Sequence, residues 1–265
     1  MHSFSAILRD TLLEIRDRKV FYVYWALAAL LMIFILLLPN FKVDGHELLD
    51  GNTLPPDMVA EGMAKFTSGL FGFFVFLLVF GSAGLVPAFL QKGRIELSLS
   101  KPISRYRLIL MKFSAVYVLM AIILTGTVTL IWLASSFRLG HFEASYFLGL
   151  ILYLIQFLFI SSLVFCLGML SNSGAASIMG YFIIRIGTDL LAGRKAIYPL
   201  LGDSIWRKTL DGLYHILPKF GEITDNSIPL MTGKELISSY PIYSTFIISA
   251  VAILIALVIF NRRDY

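Results

Sequence analysis

The chain has 265 residues, of which 58% are hydrophobic and only 15% are charged. Because a soluble domain averages about 45–50% apolar and about 25% charged residues, this composition argues against a soluble enzyme, a secreted disulfide scaffold or a nucleic-acid reader. The net charge of +5 comes from basic residues that lie mostly between the apolar runs, so membrane topology explains the excess of positive charge. We therefore expect membrane lipids, and no nucleic acid, among the partners.

Long apolar runs predict transmembrane helices along the whole chain. A helix needs about 20 apolar residues to cross a ~30 Å hydrocarbon core. Because every backbone amide in lipid must be satisfied within its own segment, the runs predict an all-α polytopic protein with about six spans. The last but one run is interrupted by two charged residues. The predicted spans are 20–38, 66–90, 113–137, 144–170, 174–193 and 242–260.

The segment 1–19, ahead of the first span, is predicted to form an amphipathic helix. Its charged residues fall on other faces than its apolar ones, which leaves two interpretations. The helix lies in the membrane interface, or it is a short extension of the first span. The apolar residues at helical spacing are Phe4, Ile7, Leu8, Leu12 and Ile15.

A polar stretch after the first span contains four possible metal ligands: Asp44, His46, Glu47 and Asp50. Carboxylates and an imidazole can bind a divalent cation, but no closed ligand set of known spacing is present. The sequence favours a solvated polar turn over a metal site. We therefore expect no metal bound by this chain.

The density of basic residues predicts the orientation. With the N-terminus in the cytoplasm, the inside segments hold twelve Lys and Arg residues in 49 positions, against nine in 81 positions outside. This bias predicts that both termini are cytoplasmic. The longest loop, 194–241, is then outside. An apolar stripe at 206–217 within it predicts a helix that rests on the membrane boundary or covers a cavity.

The cytoplasmic segment 91–107 has the character of a docking element. Gly93 can turn the chain away from the membrane, and Leu97 and Leu99 offer apolar contact surface. Pro102 ends this piece and Ser104 can cap the next helix. The alternative is an ordinary basic loop between two spans.

The pattern Gly-x-x-Glu-Leu-x-Leu-Ser-x-Pro-Ile-Ser-Arg, from Gly93 to Arg105, closely resembles the signature of ABC-2-type exporter permeases. The most similar branch is the single-domain, six-helix branch that includes NosY-like permeases. The resemblance covers residues 1–265 as one transmembrane permease domain.

The resemblance implies that this segment contains the coupling helix, which docks on a separate ATP-binding subunit. It also implies a complex of two permease chains, in the simplest case a homodimer, with two ATPase chains in a bacterial inner membrane. The chain has no G-x-x-x-x-G-K-[ST] stretch, so we expect ATP and Mg²⁺ on the partner and no enzymatic activity in this chain. The implied docking residues are Gly93, Glu96, Leu97, Leu99, Pro102, Ser104 and Arg105.

Polar residues within the spans are the second candidate site. Arg185 and Asp189 are four residues apart, so they share one helix face and can form an ion pair. With Gln156 in the fourth span, they mark either a transport pathway or dimer interface, or a structural pair. A secondary carrier or channel that uses this pair is the alternative function. A membrane-embedded enzyme is a further alternative, but the sequence contains no recognisable catalytic set.

Overall fold

The computed structural model describes residues 2–37, 42–43, 46–47, 56–100, 103–140, 142–196, 198–201 and 205–263. Helices form nearly all of this part of the chain. The elements are α1 (His2–Asp17), α2 (Val20–Leu37), β1 (Lys42–Val43), β2 (His46–Glu47), α3 (Pro56–Ala83), α4 (Leu85–Phe89), α5 (Arg94–Leu99), α6 (Arg105–Leu139), α7 (Tyr146–Ser171), α8 (Gly174–Ala192), a 3-10 turn (Gly193–Ala196), α9 (Tyr198–Leu201), α10 (Ile205–Ile216), α11 (Phe220–Met231) and α12 (Tyr240–Arg262).

Five helical segments of the described chain are long and apolar enough to cross a membrane, which makes the chain a multi-pass membrane protein. They correspond to the second through sixth predicted spans. The first predicted span is α2, which counts as a sixth span only together with α1. The five segments are Asp57–Phe89, Arg105–Arg138, Tyr146–Ser171, Gly174–Ala196 and Tyr240–Arg262.

Helix α1 does not continue α2 in a straight line. The two helices meet at a bend of 68°, and Lys19 between them has a φ of +57°. Ile15 and Thr11 are buried against the bundle, whereas Leu12 and Leu13 are exposed. The bend therefore excludes a straight extension of α2, and α1 packs as an amphipathic helix across the beginning of α6.

Helix α7 is at the centre of the bundle, where it contacts α6, α8, α11 and α12. It is the most deeply buried of the candidate spans. Two glycines allow this close packing. A Cβ at Gly149 would overlap with the side chain of Met231, and one at Gly168 would lie 3.1 Å from Cβ of Val86. Helices α8 and α12 bury much less of their surface, so their apolar outer faces are available to lipid or to another chain.

The sequence predicted a long loop at 194–241. The structure instead has three helices in this segment, α9, α10 and α11. Helix α11 packs within the bundle against α3, α7 and α8. Phe220, Ile223 and Met231 on its inner face are all buried. The 12 residues of α11 are too few for a span, so length and hydropathy alone did not reveal that it belongs to the core.

Helix α10 confirms the helix predicted from the apolar stripe at 206–217. It is bound to the 3-10 turn after α8 by Arg194, whose Nε lies 2.9 Å from Oδ1 of Asp211 and whose guanidinium lies over the ring of Tyr214. The Tyr214 hydroxyl donates to Glu222 at 2.7 Å. Trp206 and three further apolar side chains on the opposite face are exposed: Ile205, Leu213 and Ile216.

The described parts of the segment between α2 and α3 form a two-residue antiparallel ladder. Lys42 pairs with Glu47, and Val43 pairs with His46. Of the predicted metal ligands, Asp44 and Asp50 lie outside the described residues, as do the side chains of His46 and Glu47. Within the described chain, no group of three or more His, Cys, Asp or Glu residues could hold a metal ion.

Candidate functional site

The segment predicted to dock a partner forms a short helix at one end of the bundle, which we name the α5 end. The chain leaves α4 and turns at Gly93, whose φ of +82° is a conformation that glycine adopts without strain. Helix α5 follows at once. The turn predicted at Gly93 is therefore confirmed.

Helix α5 has one buried and one exposed face. Ile95 is 1% exposed and packs with Phe89 and Leu108. Leu97 lies on the other face and is 73% exposed, and Glu96 beside it is also exposed. The side chain of Leu99 and the whole of Pro102 lie outside the described residues. The result is an anchored helix that presents an apolar side chain away from the bundle.

One predicted contact in this segment differs from the structure. Ser104 is at the N-cap position of α6, as expected, but its hydroxyl makes no capping hydrogen bond. Nη1 of Arg105 donates to the backbone carbonyl of Arg263 at 3.1 Å. Arg105 therefore connects the beginning of α6 to the end of α12.

Helix α5 is held in place by a cluster of charges around the buried carboxylate of Glu14, which we name the Glu14 cluster. The Glu14 side chain is only 9% exposed and accepts hydrogen bonds from Arg18 at 3.1 Å and Arg94 at 3.1 Å. The ammonium of Lys112 donates to the same carboxylate at 3.2 Å and to the hydroxyl of Thr11 at 3.0 Å. One carboxylate thus connects α1, α5 and α6.

The cluster also reaches the break between α3 and α4. A second hydrogen bond of Arg18, 2.8 Å long, goes to the carbonyl of Gly84. Gly84 in turn lies against Gly174, where an added Cβ would be 3.0 Å from Cα of Gly84. Hydrogen bonds of Glu14 and Arg18 thus link α5 to the break between α3 and α4, and this break packs against the first residue of α8.

A cleft of about 510 Å³ opens between α1, α5 and the start of α6. Its wall combines apolar side chains with the charged groups of Asp10, Arg94 and Lys112. Leu97 is at its edge. The cleft and the exposed face of α5 together form a continuous contact surface at the α5 end, which we name the α5 surface.

A second cavity, of about 310 Å³, lies between α3, α7, α8 and α11, within the predicted membrane region. We name it the Arg185 cavity. Arg185 and Gln156, both predicted as intramembrane polar residues, line this cavity together. Gln156 is 1% exposed, and its amide donates to the carbonyl of Phe220 at 2.9 Å and to Thr224 at 2.8 Å. Gln156 thus fastens the first turn of α11 to α7.

The structure brings Arg185 and Asp189 into contact, with Nε of Arg185 3.0 Å from Oδ2 of Asp189. The two side chains nevertheless face different spaces. Arg185 lines the Arg185 cavity, whereas Asp189 lines a smaller crevice beside Gly221. The positive end of the pair is therefore directed to the larger cavity.

Sequence reasoning missed Glu14, which connects the elements of the α5 end, and Thr224, which completes the hydrogen bonds of Gln156. Arg94 and Lys112 are 80 and 98 residues from Glu14. No local pattern links positions so far apart. In the sequence, Glu14 resembles the other charged residues on the polar face of α1. Only its burial in the structure distinguishes it from them.

The described chain thus has a cleft with apolar and charged walls at the α5 end and a cavity lined by polar and apolar side chains inside the bundle. A scan against protein-family models finds none that matches this chain, and a search of curated proteins finds no match.

Proposed function

We propose that this chain is the membrane-spanning permease subunit of an ATP-driven exporter of the ABC-2 type. A separate ATP-binding subunit docks on the α5 surface, and ATP with Mg²⁺ is bound there and not by this chain. The working complex contains two permease chains and two ATPase chains. The α5 end and both termini face the cytoplasm of a bacterial cell, and the spans cross its inner membrane.

The observation that carries this proposal is the exposed face of α5. Leu97 is 73% exposed at the end of a bundle, next to a cleft with apolar and charged walls. Leu97 and the apolar side chains of the cleft, which include Ile7 and Phe89, form a contiguous apolar surface beside charged groups, and such a patch is typical of an interaction site. The sequence pattern that resembles coupling helices falls on this same helix.

The Glu14 cluster supports the proposal because a coupling element has to transmit force. The ion pairs between Glu14, Arg94 and Lys112 join α5 to α1 and α6. A helix of six residues would not keep its position without such anchors, because short helices are not stable alone. Movement of a docked ATPase is thereby passed to the spans.

A secondary carrier is the second candidate, since the Arg185 cavity places a charged side chain inside the bundle. A carrier would use this cavity with an ion gradient and would need no ATPase. The exposed face of α5 has no role in that mechanism. The two functions therefore differ in whether the α5 surface is required.

The test is capture of the ATPase by variants of α5. We expect Leu97→Asp to abolish co-purification of the ATP-binding subunit from native membranes, and to uncouple ATP hydrolysis from transport in liposomes. Burying an unpaired carboxylate in an apolar contact costs several kcal/mol, which lowers affinity by about two orders of magnitude or more. The charge reversals Glu96→Arg and Arg105→Glu are expected to weaken capture as well.

Ile237→Asp is the matched control, because Ile237 is 71% exposed but lies in the loop before α12, at the opposite end of the bundle. We expect it to leave capture unchanged. Membrane insertion should be the same for both variants. Normal capture and coupling in Leu97→Asp would refute the docking role of α5, and transport driven by an ion gradient without any ATPase would favour the carrier.

A further inference from the structure

The Arg185 cavity has open space next to α3 because two glycines line it. A Cβ added at Gly69 or Gly72 would have no atom within 4 Å, although both residues lie on the wall of the cavity. The space beside these glycines is therefore free to hold part of a ligand.

Arg185 has hydrogen-bonding capacity that the protein does not use. Its Nε pairs with Asp189 at 3.0 Å. Among the described residues, Nη1 and Nη2 have no hydrogen-bonding partner. A guanidinium carries five N–H donors, and leaving several of them unsatisfied inside a membrane bundle is costly. An oxyanion in the cavity would satisfy them with two parallel hydrogen bonds.

The cavity is polar at one end and apolar at the other. Arg185 shares its end with Gln156 and Thr224. Phe182 precedes Arg185 by three residues in α8, which places it about 4.5 Å from Arg185 along the helix axis at ~1.5 Å per residue. The ring of Phe182 packs against that of Phe76, with the ring centres 5.2 Å apart. The apolar end thus continues away from the cation, between α3 and α8.

We infer that the Arg185 cavity binds an amphiphile with an acidic head group, a phosphate, sulfate or carboxylate, whose apolar tail lies in the open space beside Gly72, against the packed rings of Phe76 and Phe182. The head group accepts hydrogen bonds from the free nitrogens of Arg185. This inference rests on the proposed function, because it names the substrate class of the exporter. The cavity then selects its ligand by both charge and shape.

Two carboxylates lie close enough to oppose an anion, and neither lines the cavity. Asp189 faces the crevice beside Gly221, and Asp225 is exposed on the surface of α11. Because Asp189 is bound to Nε on the far side of the guanidinium, the pair acts as a dipole whose positive end points into the cavity. Its neutral total charge also makes the empty site less costly in lipid.

The experiment uses the full chain in nanodiscs of phosphatidylcholine and three photoreactive probes with one identical alkyl tail. The probes are an alkyl phosphate, the uncharged alkanol and an alkyltrimethylammonium. Labelled peptides are located by mass spectrometry, and Kd is obtained by competition. We expect the phosphate to label α3 and α8 with a Kd about tenfold or more below those of the other two, which corresponds to about 1.4 kcal/mol or more.

Two substitutions test the head-group and tail contacts separately. Arg185→Gln is expected to raise the Kd of the phosphate probe about tenfold and to leave that of the alkanol unchanged, whereas Lys65→Gln, which removes an exposed cation on α3, changes neither. Gly72→Leu fills the cavity and should weaken binding of all three probes. Gly187→Leu is its control, because Gly187 also has open space around a Cβ but does not line the cavity.

Equal labelling by the three probes, preference for the cationic probe, or wild-type binding in Gly72→Leu would each overturn the inference. The double variant Arg185→Gln with Asp189→Asn guards against misfolding from an unpaired carboxylate, and it should also bind the phosphate probe weakly. None of these measurements needs an ATPase. Selective phosphate binding without capture of an ATPase would therefore reject the exporter and keep the site, and capture without selective binding would do the reverse.

Discussion

Replacing Glu14 by Gln is expected to destabilise the α5 end more than any exposed charge change. The Glu14 carboxylate is 9% exposed and Lys112 is 1% exposed, so the substitution removes the nearest negative charge from a buried ammonium and leaves only the largely exposed Asp10 carboxylate, at 3.9 Å, as a charged partner. Removing one partner of a buried ion pair costs about 3–5 kcal/mol. We therefore expect the free energy of unfolding to fall by that amount in Glu14→Gln.

The double variant Glu14→Gln with Lys112→Met tests whether the loss comes from the stranded charge. Replacing both members of a buried pair by groups of similar volume is often neutral, so at least about 2 kcal/mol of the loss should return. Arg18 and Arg94 keep 31% and 35% of their side chains exposed, which lets water solvate them when Glu14 is gone. They therefore contribute little to the loss.

The assay is reversible unfolding in mixed micelles with increasing SDS, followed by far-UV circular dichroism. A local measurement accompanies it: a cysteine placed by Ile95→Cys, at a position 1% exposed, should react with a maleimide faster when α5 detaches, in a Cys166→Ala background. Glu61→Gln is the control, because the Glu61–Lys65 pair is exposed and should change stability by less than about 1 kcal/mol. If Glu14→Gln is no more destabilising than Glu61→Gln, or if the double variant recovers nothing, the argument for a buried charge cluster is wrong.

Three further changes have expected outcomes. In a double-mutant cycle, Arg185→Ala and Asp189→Ala should show a coupling energy of about 0.5–3 kcal/mol, and additive losses would contradict the pairing. Burial and the neighbouring Glu222 carboxylate raise the pKa of Tyr214 to about 12. Because an unfolded tyrosine titrates near pH 10, the stabilising contribution of Tyr214 is complete below pH 10 and is lost as pH rises toward 12. The unfolding temperature of the wild type should therefore fall between pH 10 and pH 12, and this fall should be smaller in Tyr214→Phe. Gly149→Val should destabilise the fold by about 1–3 kcal/mol through overpacking, measured in the same SDS titration.

The residues that form the contact between α7 and α11 show where sequence reasoning stopped. Gln156 appears in the sequence as one polar residue in an apolar run, open to a functional or a structural interpretation. The structure pairs it with Phe220 and Thr224, 64 and 68 residues away. Helix α11 has only 12 residues, so its hydropathy resembles that of any amphipathic surface segment. Its place in the core depends on α7 offering a matching polar group.

The α5 segment shows the opposite balance, since much of it could be predicted locally. The turn at Gly93 and the beginning of α6 after Ser104 follow from backbone preferences that act within a few residues. The partner of Arg105 did not follow from the sequence, because the carbonyl of Arg263 is 158 residues away. The same applies to Glu14, whose charge pattern on α1 matches that of a solvated face.

By itself the sequence determined that this chain is helical and crosses a membrane several times, because hydrocarbon thickness and backbone hydrogen bonding act on each segment separately. It also determined where five of the spans lie. Only the tertiary structure decided that α1 is bent away from the axis of α2 and that α11 packs in the core. It also decided that Arg185 and Gln156 line one cavity, whereas Asp189 lines a different crevice. These features depend on which distant side chains meet, and burial and charge pairing between distant segments are not contained in any local pattern.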